Sequence, residues 1–316
     1  MAERPPFPFV VGCERSGTTL LRLILDAHPQ LAVPPESYFI VDLYRRHARD
    51  GVVDTGAMAS DLEANRWFRA WDLPEGEAGR TLGGEAGVEF AEAIRRVYGR
   101  YAELHGKARY ADKTPAYVQH IRLLARVFPE ARFVHLIRDG RDVAMSLAEV
   151  RWGPGDVLDA ALQWAERVSR GREAGHEVGA HRYLEVRYER LVAEPEPVLR
   201  EVAEFCELAF DEAMLRHPER AAERIPQRPG ALHRRAATAP SVTGRDWRRD
   251  MAPDDLAAVE ALIGGPLADL GYERGVPNVP AEASRRARAA LARRRRRHFV
   301  RRVKFYLRGR RRVERS

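Results

Sequence analysis

At 316 residues and 45% hydrophobic content, the chain can bury the core of one large α/β domain or of two smaller ones. Its two cysteines, Cys13 and Cys206, exclude a disulfide framework and show no metal-site spacing, and no apolar run approaches the roughly 20 residues that cross a bilayer. The net charge of +8 is uneven: residues 284–316 carry sixteen Lys+Arg and one acid, which leaves 38 bases against 45 acids, a net of −7, for residues 1–283.

The first six residues lack the apolar centre of a signal peptide, so a reducing, cytoplasmic setting is expected. Phe7 to Val11 is a short apolar run suited to a buried parallel strand. Gly12-Cys13-Glu14-Arg15-Ser16-Gly17-Thr18-Thr19 follows. It matches the nucleoside-triphosphate loop G-x-x-x-x-G-K-[ST] except at Thr18, which stands in place of the lysine. Such a loop still wraps a phosphate with backbone N–H groups at a helix N-terminus, and Arg15 supplies a charge. It lacks the lysine that reaches the β- and γ-phosphates. The expected ligand is a nucleotide with one 5′-phosphate-like group. Leu20, Leu21, Ile24 and Leu25 continue at helical spacing until Asp26-Ala27-His28-Pro29 stops the helix.

Helices are expected over 37–49, 61–71 and 85–105, with loops at Pro74-Glu75-Gly76 and Gly83-Gly84. Residues 50–106 thus form a helical insertion before the next strand, Arg109 to Ala111. In open α/β sheets ligands bind beyond the carboxyl ends of the strands, so this insertion is expected to wall an acceptor pocket. Further on, the pattern gives a helix over 118–128, a strand over 132–137, the polar turn Arg138-Asp139-Gly140-Arg141-Asp142 and a helix from Val143. A helix over 156–171, a strand over 183–186 and a helix over 195–207 complete it. The fold class is α/β, a P-loop-like three-layer domain with a central, mostly parallel sheet, plus a basic C-terminal helical tail. Taken alone, the Arg138–Asp142 turn reads equally well as a surface ion-pair turn.

Three segments together carry a resemblance: Gly12 to Leu21, Leu136 to Ser146, and Val186 to Pro195. In this order and spacing they resemble the sulfotransferases that use 3′-phosphoadenosine 5′-phosphosulfate (PAPS). The tyrosylprotein-sulfotransferase-like branch is the most similar, its first motif also reading R-S-G-T-T-L before L-D-A-H-P. The resemblance covers roughly residues 7–275 and implies a PAPS-dependent enzyme with no metal. It assigns Arg15, Ser16, Gly17, Thr18 and Thr19 to the 5′-phosphosulfate, and Arg138 with Ser146 to the 3′-phosphate. Glu36, 21 residues after Arg15, falls where the family places its catalytic glutamate. Lys113, in a K-x-P setting, falls near a family lysine and joins Arg15 in stabilising the transferring group. Thr243 and Arg245 align loosely with residues that contact the nucleotide, and Trp247 with a loop that closes over it. His120 is the reserve base.

The tail, set off by a linker at 276–283, places Phe299, Val300, Val303, Tyr306 and Leu307 on one helical stripe among arginines. That pattern suits an anionic membrane surface; a solvated tail is the next reading and nucleic acid the least favoured. Two other functions stay open: a P-loop kinase or NTPase, which needs Mg²⁺ and ATP, and a catalytically silent binding protein recruited to a membrane or nucleic acid.

Overall fold

The computed structural model describes residues 4–216 and 245–313. The chain divides into two compact units, Met1–Arg138 with Arg167–Thr243, and Asp139–Glu166 with Gly244–Ser316.

The first unit starts with β1 (Phe7–Gly12) and α1 (Thr18–Ala27), then β2 (Leu31–Ala32) and α2 (Ile40–His47). The insertion holds β3 (Val52–Val53), α3 (Thr55–Ala64), α4 (Arg66–Arg69), α5 (Glu77–Leu82), β4 (Val88–Glu89) and α6 (Phe90–Leu104). Next come β5 (Arg109–Tyr110), β6 (Asp112–Lys113), a 3-10 turn over Pro115–His120, α7 (Ile121–Val127) and β7 (Ala131–Ile137). Helix α8 (Gly140–Ala148) belongs to the second unit, and α9 (Val157–Val178) runs from the second unit into the first. The first unit closes, among its described residues, with β8 (Tyr183–Arg187), α10 (Tyr188–Ala193), α11 (Pro195–Phe205) and a 3-10 turn at Glu212–Met214.

The main sheet is parallel throughout, in the order β6-β1-β7-β8. From β1 the chain reaches β6 on one side and returns to β7 on the other. The carboxyl end of β1 is therefore the switch point where ligands bind such sheets. Strand periodicity gives each face its own core. Phe7, Phe9, Val11 and Phe133 join the aromatic residues of the insertion. Val10, Val134 and Leu136 meet Leu21, Ile24 and Leu25 of α1 and Val198, Leu199 and Val202 of α11. Both faces are covered, as a parallel sheet requires, and each large side chain so buried contributes about 1.5–3 kcal/mol. Tyr98 of α6 ties the insertion to this core, its ring centroid 5.0 Å from Phe7 of β1 and 4.9 Å from Trp71. The α/β class with a mostly parallel central sheet is thus the one observed.

Several boundaries differ from the sequence pattern for local reasons. Helix α2 starts at Ile40 rather than Ser37, because Tyr38 has φ 47° and Ser37 is bonded to Thr114 and Asp112. The helix expected over 61–71 breaks at Asn65, whose side chain accepts from Trp67 N–H and starts α4. The single strand expected at 109–111 is two: β5 pairs with β2, and β6 with β1. Helix α9 runs past Gly171 to Val178; a Cβ on Gly171 would lie 2.5 Å from Val118, so this glycine serves close packing within a helix.

In the second unit Arg141 is the hub. It is fully buried, not part of a surface turn. Its guanidinium forks onto Asp139 at 3.0 and 2.7 Å, reaches Glu260 at 2.6 Å and the Glu273 carbonyl at 2.9 Å, and lies 3.6 Å from the Trp247 ring centroid. Glu260 also accepts from the N–H groups of Gly275 and Val276. Burial works against the charge, but the Asp139 and Glu260 carboxylates hold the Arg141 pKa above its usual value. Helices Trp247–Asp250, Pro253–Asp269 and Ala281–Val313 complete this unit. The last begins at Ala281, inside the expected linker. Removing one partner of such a network leaves buried charge uncompensated. Arg141→Ala is expected to cost about 3–5 kcal/mol in denaturant unfolding, and a loss below about 1 kcal/mol would reject the hub.

Candidate active site

The loop after β1 is shaped by two glycines. A Cβ on Gly12 would stand 2.6 Å from the Leu136 carbonyl oxygen, so only glycine lets β1 and β7 close up here. Gly17 has φ 95°, and a Cβ there would meet the Tyr188 ring at 2.5 Å. Between them Arg15 has φ 73°, and Ser16 N–H donates to the Cys13 carbonyl at 3.2 Å. Helix α1 starts at Thr18 with no side-chain cap on its first-turn N–H groups. Ser16 is 1% exposed, and its hydroxyl has no hydrogen-bond partner among the described residues. A buried hydroxyl without a partner beside uncapped N–H groups fits an oxyanion ligand. Burial and the neighbouring Glu14 push the Cys13 thiol far up, so it stays protonated.

Glu36 and Lys113 form an ion pair, Nζ to Oε1, of 2.7 Å. Lys113 is 3% exposed and stands in β6 opposite Val10 of β1, two residues before the loop. Burial lowers the Lys113 pKa, and Glu36 offsets part of that shift. Glu36 sits in the loop before α2, half-buried.

A polar knot fixes this pair. Asp112 Oδ2 accepts from Tyr98 at 2.6 Å, Ser37 Oγ at 2.7 Å and Thr114 Oγ1 at 3.2 Å. Ser37 N–H donates to Thr114 Oγ1 at 3.0 Å, and Ile40 N–H to the Tyr117 hydroxyl at 3.0 Å. The neighbour of Glu36 is thereby bonded to both neighbours of Lys113. Asp112 is wholly buried, and burial raises its pKa to about 6 against these hydroxyl donors. The Tyr38 ring packs tilted by 31° against Trp67 of α4, centroids 4.4 Å apart, and burial with the nearby Glu36 and Glu14 carboxylates raises its pKa. Glu14 of the loop pairs with Arg167 at 2.9 Å.

The remaining sequence-derived residues are spread more widely. Arg138 follows β7 in the first unit, 4.6 Å from the Tyr188 centroid. Ser146 lies on α8 in the second unit. Arg245, also in the second unit, is ion-paired with Glu149. Trp247 is buried, and its backbone N–H donates to Asp142 Oδ1 at 2.8 Å. Thr243 lies outside the described residues. Burial, then the charges of Arg45 and Arg167, lower the His120 pKa. The structure thus brings Glu36 and Lys113 together, beside the strand that feeds the Arg15–Thr19 loop. Ser37, Tyr38, Tyr98, Asp112, Thr114 and Tyr117 were not singled out from the sequence. Only the Asp112-Lys113-Thr114 adjacency could have flagged any of them. Among the described residues no cluster of His, Cys, Asp and Glu could hold a metal ion, and no helix is long and apolar enough to cross a membrane.

A model of the sulfotransferase family matches residues 6–212. The chain is 27% identical to protein-tyrosine sulfotransferase A of Caenorhabditis elegans over 221 residues, covering 68% of this chain and 53% of the relative. It is 27% identical to protein-tyrosine sulfotransferase of Drosophila melanogaster, covering 68% and 40%, and 26% identical to nodulation protein NoeE of Sinorhizobium fredii, covering 86% and 67%. It spans about half the length of the two tyrosine sulfotransferases. Among solved structures, the sulfotransferase domain of the Synechococcus PCC 7002 olefin synthase superposes with a TM-score of 0.58 at 23% identity, covering 80% of this chain and 91% of that one. That likeness establishes the sulfotransferase fold.

Asp112 yields a pH test. Its pKa is raised in the folded state, so the folded protein holds its proton more tightly than the unfolded one. Stability therefore falls as pH climbs from about 4 to about 6 and then levels off. Asp112→Asn should remove about 3 kcal/mol of that fall in urea titrations across this window. Equal slopes in both proteins would reject a buried carboxyl that titrates there.

Proposed function

We propose that this chain, which belongs to the sulfotransferase family, transfers a sulfuryl group from PAPS to a hydroxyl acceptor. When bound, PAPS supplies the sulfuryl group and leaves as adenosine 3′,5′-bisphosphate. The observation that carries the reading is the Glu36–Lys113 pair, on the strand beside a loop of uncapped N–H groups and the unpartnered Ser16 hydroxyl.

In this reading Glu36 takes the proton from the acceptor hydroxyl as its oxygen attacks sulfur. Lys113 and Arg15 place positive charge where the bridging oxygen becomes negative. Ser16, Gly17, Thr18 and Thr19 hold the 5′-phosphosulfate through backbone N–H groups and hydroxyls. Arg138 takes the 3′-phosphate, and Ser146 keeps the role that the family pattern gives it. The acceptor wall is the insertion at 50–106, whose Trp67 already packs against Tyr38 beside the base. A peptide tyrosine, a sugar and a lipid or natural-product alcohol are the acceptor classes. A tail on the cytoplasmic face of a membrane favours a membrane-bound one.

Calorimetric titration with adenosine 3′,5′-bisphosphate, without Mg²⁺, tests the reading. Binding is expected, weakened roughly tenfold to a hundredfold by Arg138→Ala and spared by Glu36→Ala. A preference for ATP with Mg²⁺ would support the kinase alternative, which the threonine at position 18 argues against.

A further inference from the structure

The basic C-terminal helix divides in two. From Ala281 to Arg297 it is docked within the second unit. Ala283, Ala287 and Ala290 are buried on one stripe where it packs along helix Pro253–Asp269. Four of its arginines here have acidic partners. Arg286 reaches Asp255 at 2.6 Å and the Asp254 carbonyl at 3.0 Å, and Arg293 lies 3.9 Å from Asp156. Arg294 meets Glu166, and Arg297 meets Asp159. This half is a strut of the fold, and its small apolar side chains are already covered.

Beyond Arg297 the pattern inverts. The helix continues to Val313, but Phe299 is 68% exposed and Val300 41%. The sequence places Val303, Tyr306 and Leu307 at the same side of the helical register. Arg301, Arg302, Lys304, Arg308, Arg310, Arg311 and Arg312 lie between and beyond them, and residues 298–313 contain no acid. A nucleic acid would answer the cations and leave Phe299 and Val300 in water. A bilayer with anionic headgroups answers both, because the apolar stripe enters the acyl boundary while the cations lie among the phosphates.

We propose that residues 298–313 are a membrane-surface anchor for anionic lipid, carried on the docked strut 281–297. The inference stands apart from sulfuryl transfer, since lipid binding needs neither donor nor acceptor.

Vesicle co-sedimentation tests it with three proteins: the full chain, a chain ending at Arg297, and the Phe299→Glu, Val300→Glu double variant. The vesicles are phosphatidylcholine alone, or phosphatidylcholine with about one-third phosphatidylserine. The full chain should bind only the phosphatidylserine vesicles, more weakly as salt rises, and both altered proteins should bind at least about tenfold more weakly. The double variant changes exposed positions alone, so its loss of binding is not a loss of fold. Undiminished binding by the chain ending at Arg297, or by the double variant, would overturn the proposal. So would a full chain that ignores both vesicles, or one that prefers duplex DNA to phosphatidylserine vesicles.

Discussion

One carboxylate oxygen organises the candidate site. Asp112 Oδ2 gathers a hydroxyl from α6 of the insertion, one from the loop before α2 and one from the end of β6. A buried ionised carboxylate is costly unless such donors surround it, and here three do. These bonds also set geometry. Ser37 follows Glu36 directly, and Asp112 and Thr114 flank Lys113, so the contacts to Asp112 Oδ2 hold the Glu36–Lys113 pair in register. Low local dielectric strengthens each bond and makes the loss of any one costly. The network rigidifies the Glu36–Lys113 pair.

The sheet supplies the second constraint. With β6 and β7 on either side of β1, the loop at Gly12 opens at the switch point, and Lys113 arrives on the adjacent strand. The approach of β1 to the Leu136 carbonyl and of the loop to the Tyr188 ring leaves no room for a Cβ at Gly12 or Gly17. The two glycines thus belong to the same device. One lets the strands close, and the other turns the chain into the uncapped start of α1.

The β1–loop–α1 unit was legible because it combines an apolar run, a spaced glycine pair and helical periodicity, all within twenty-odd residues. β7, β8 and α11 were legible for the same reason. Long-range polar contacts leave no such trace. Ser37 and Asp112 meet across 75 positions, and nothing in either neighbourhood is periodic. Arg141 was misleading because a charged turn in sequence ordinarily means surface, whereas here Asp139, Glu260 and Trp247 enclose the guanidinium. In the tail the arginines mask the stripe of Ala283, Ala287 and Ala290, so the docking of residues 281–297 leaves little trace in the sequence.

In the proposed function the Arg15–Thr19 loop and Lys113 hold the sulfur end of the nucleotide, with Glu36 facing the acceptor. The most direct measurement is a crystal structure of the protein with adenosine 3′,5′-bisphosphate. The 5′-phosphate is expected on the N–H groups of Gly17 to Thr19, hydrogen-bonded to the Ser16 hydroxyl and within reach of Lys113. A bisphosphate bound elsewhere, or bound there with Lys113 and Glu36 turned away from it, would rule out these roles.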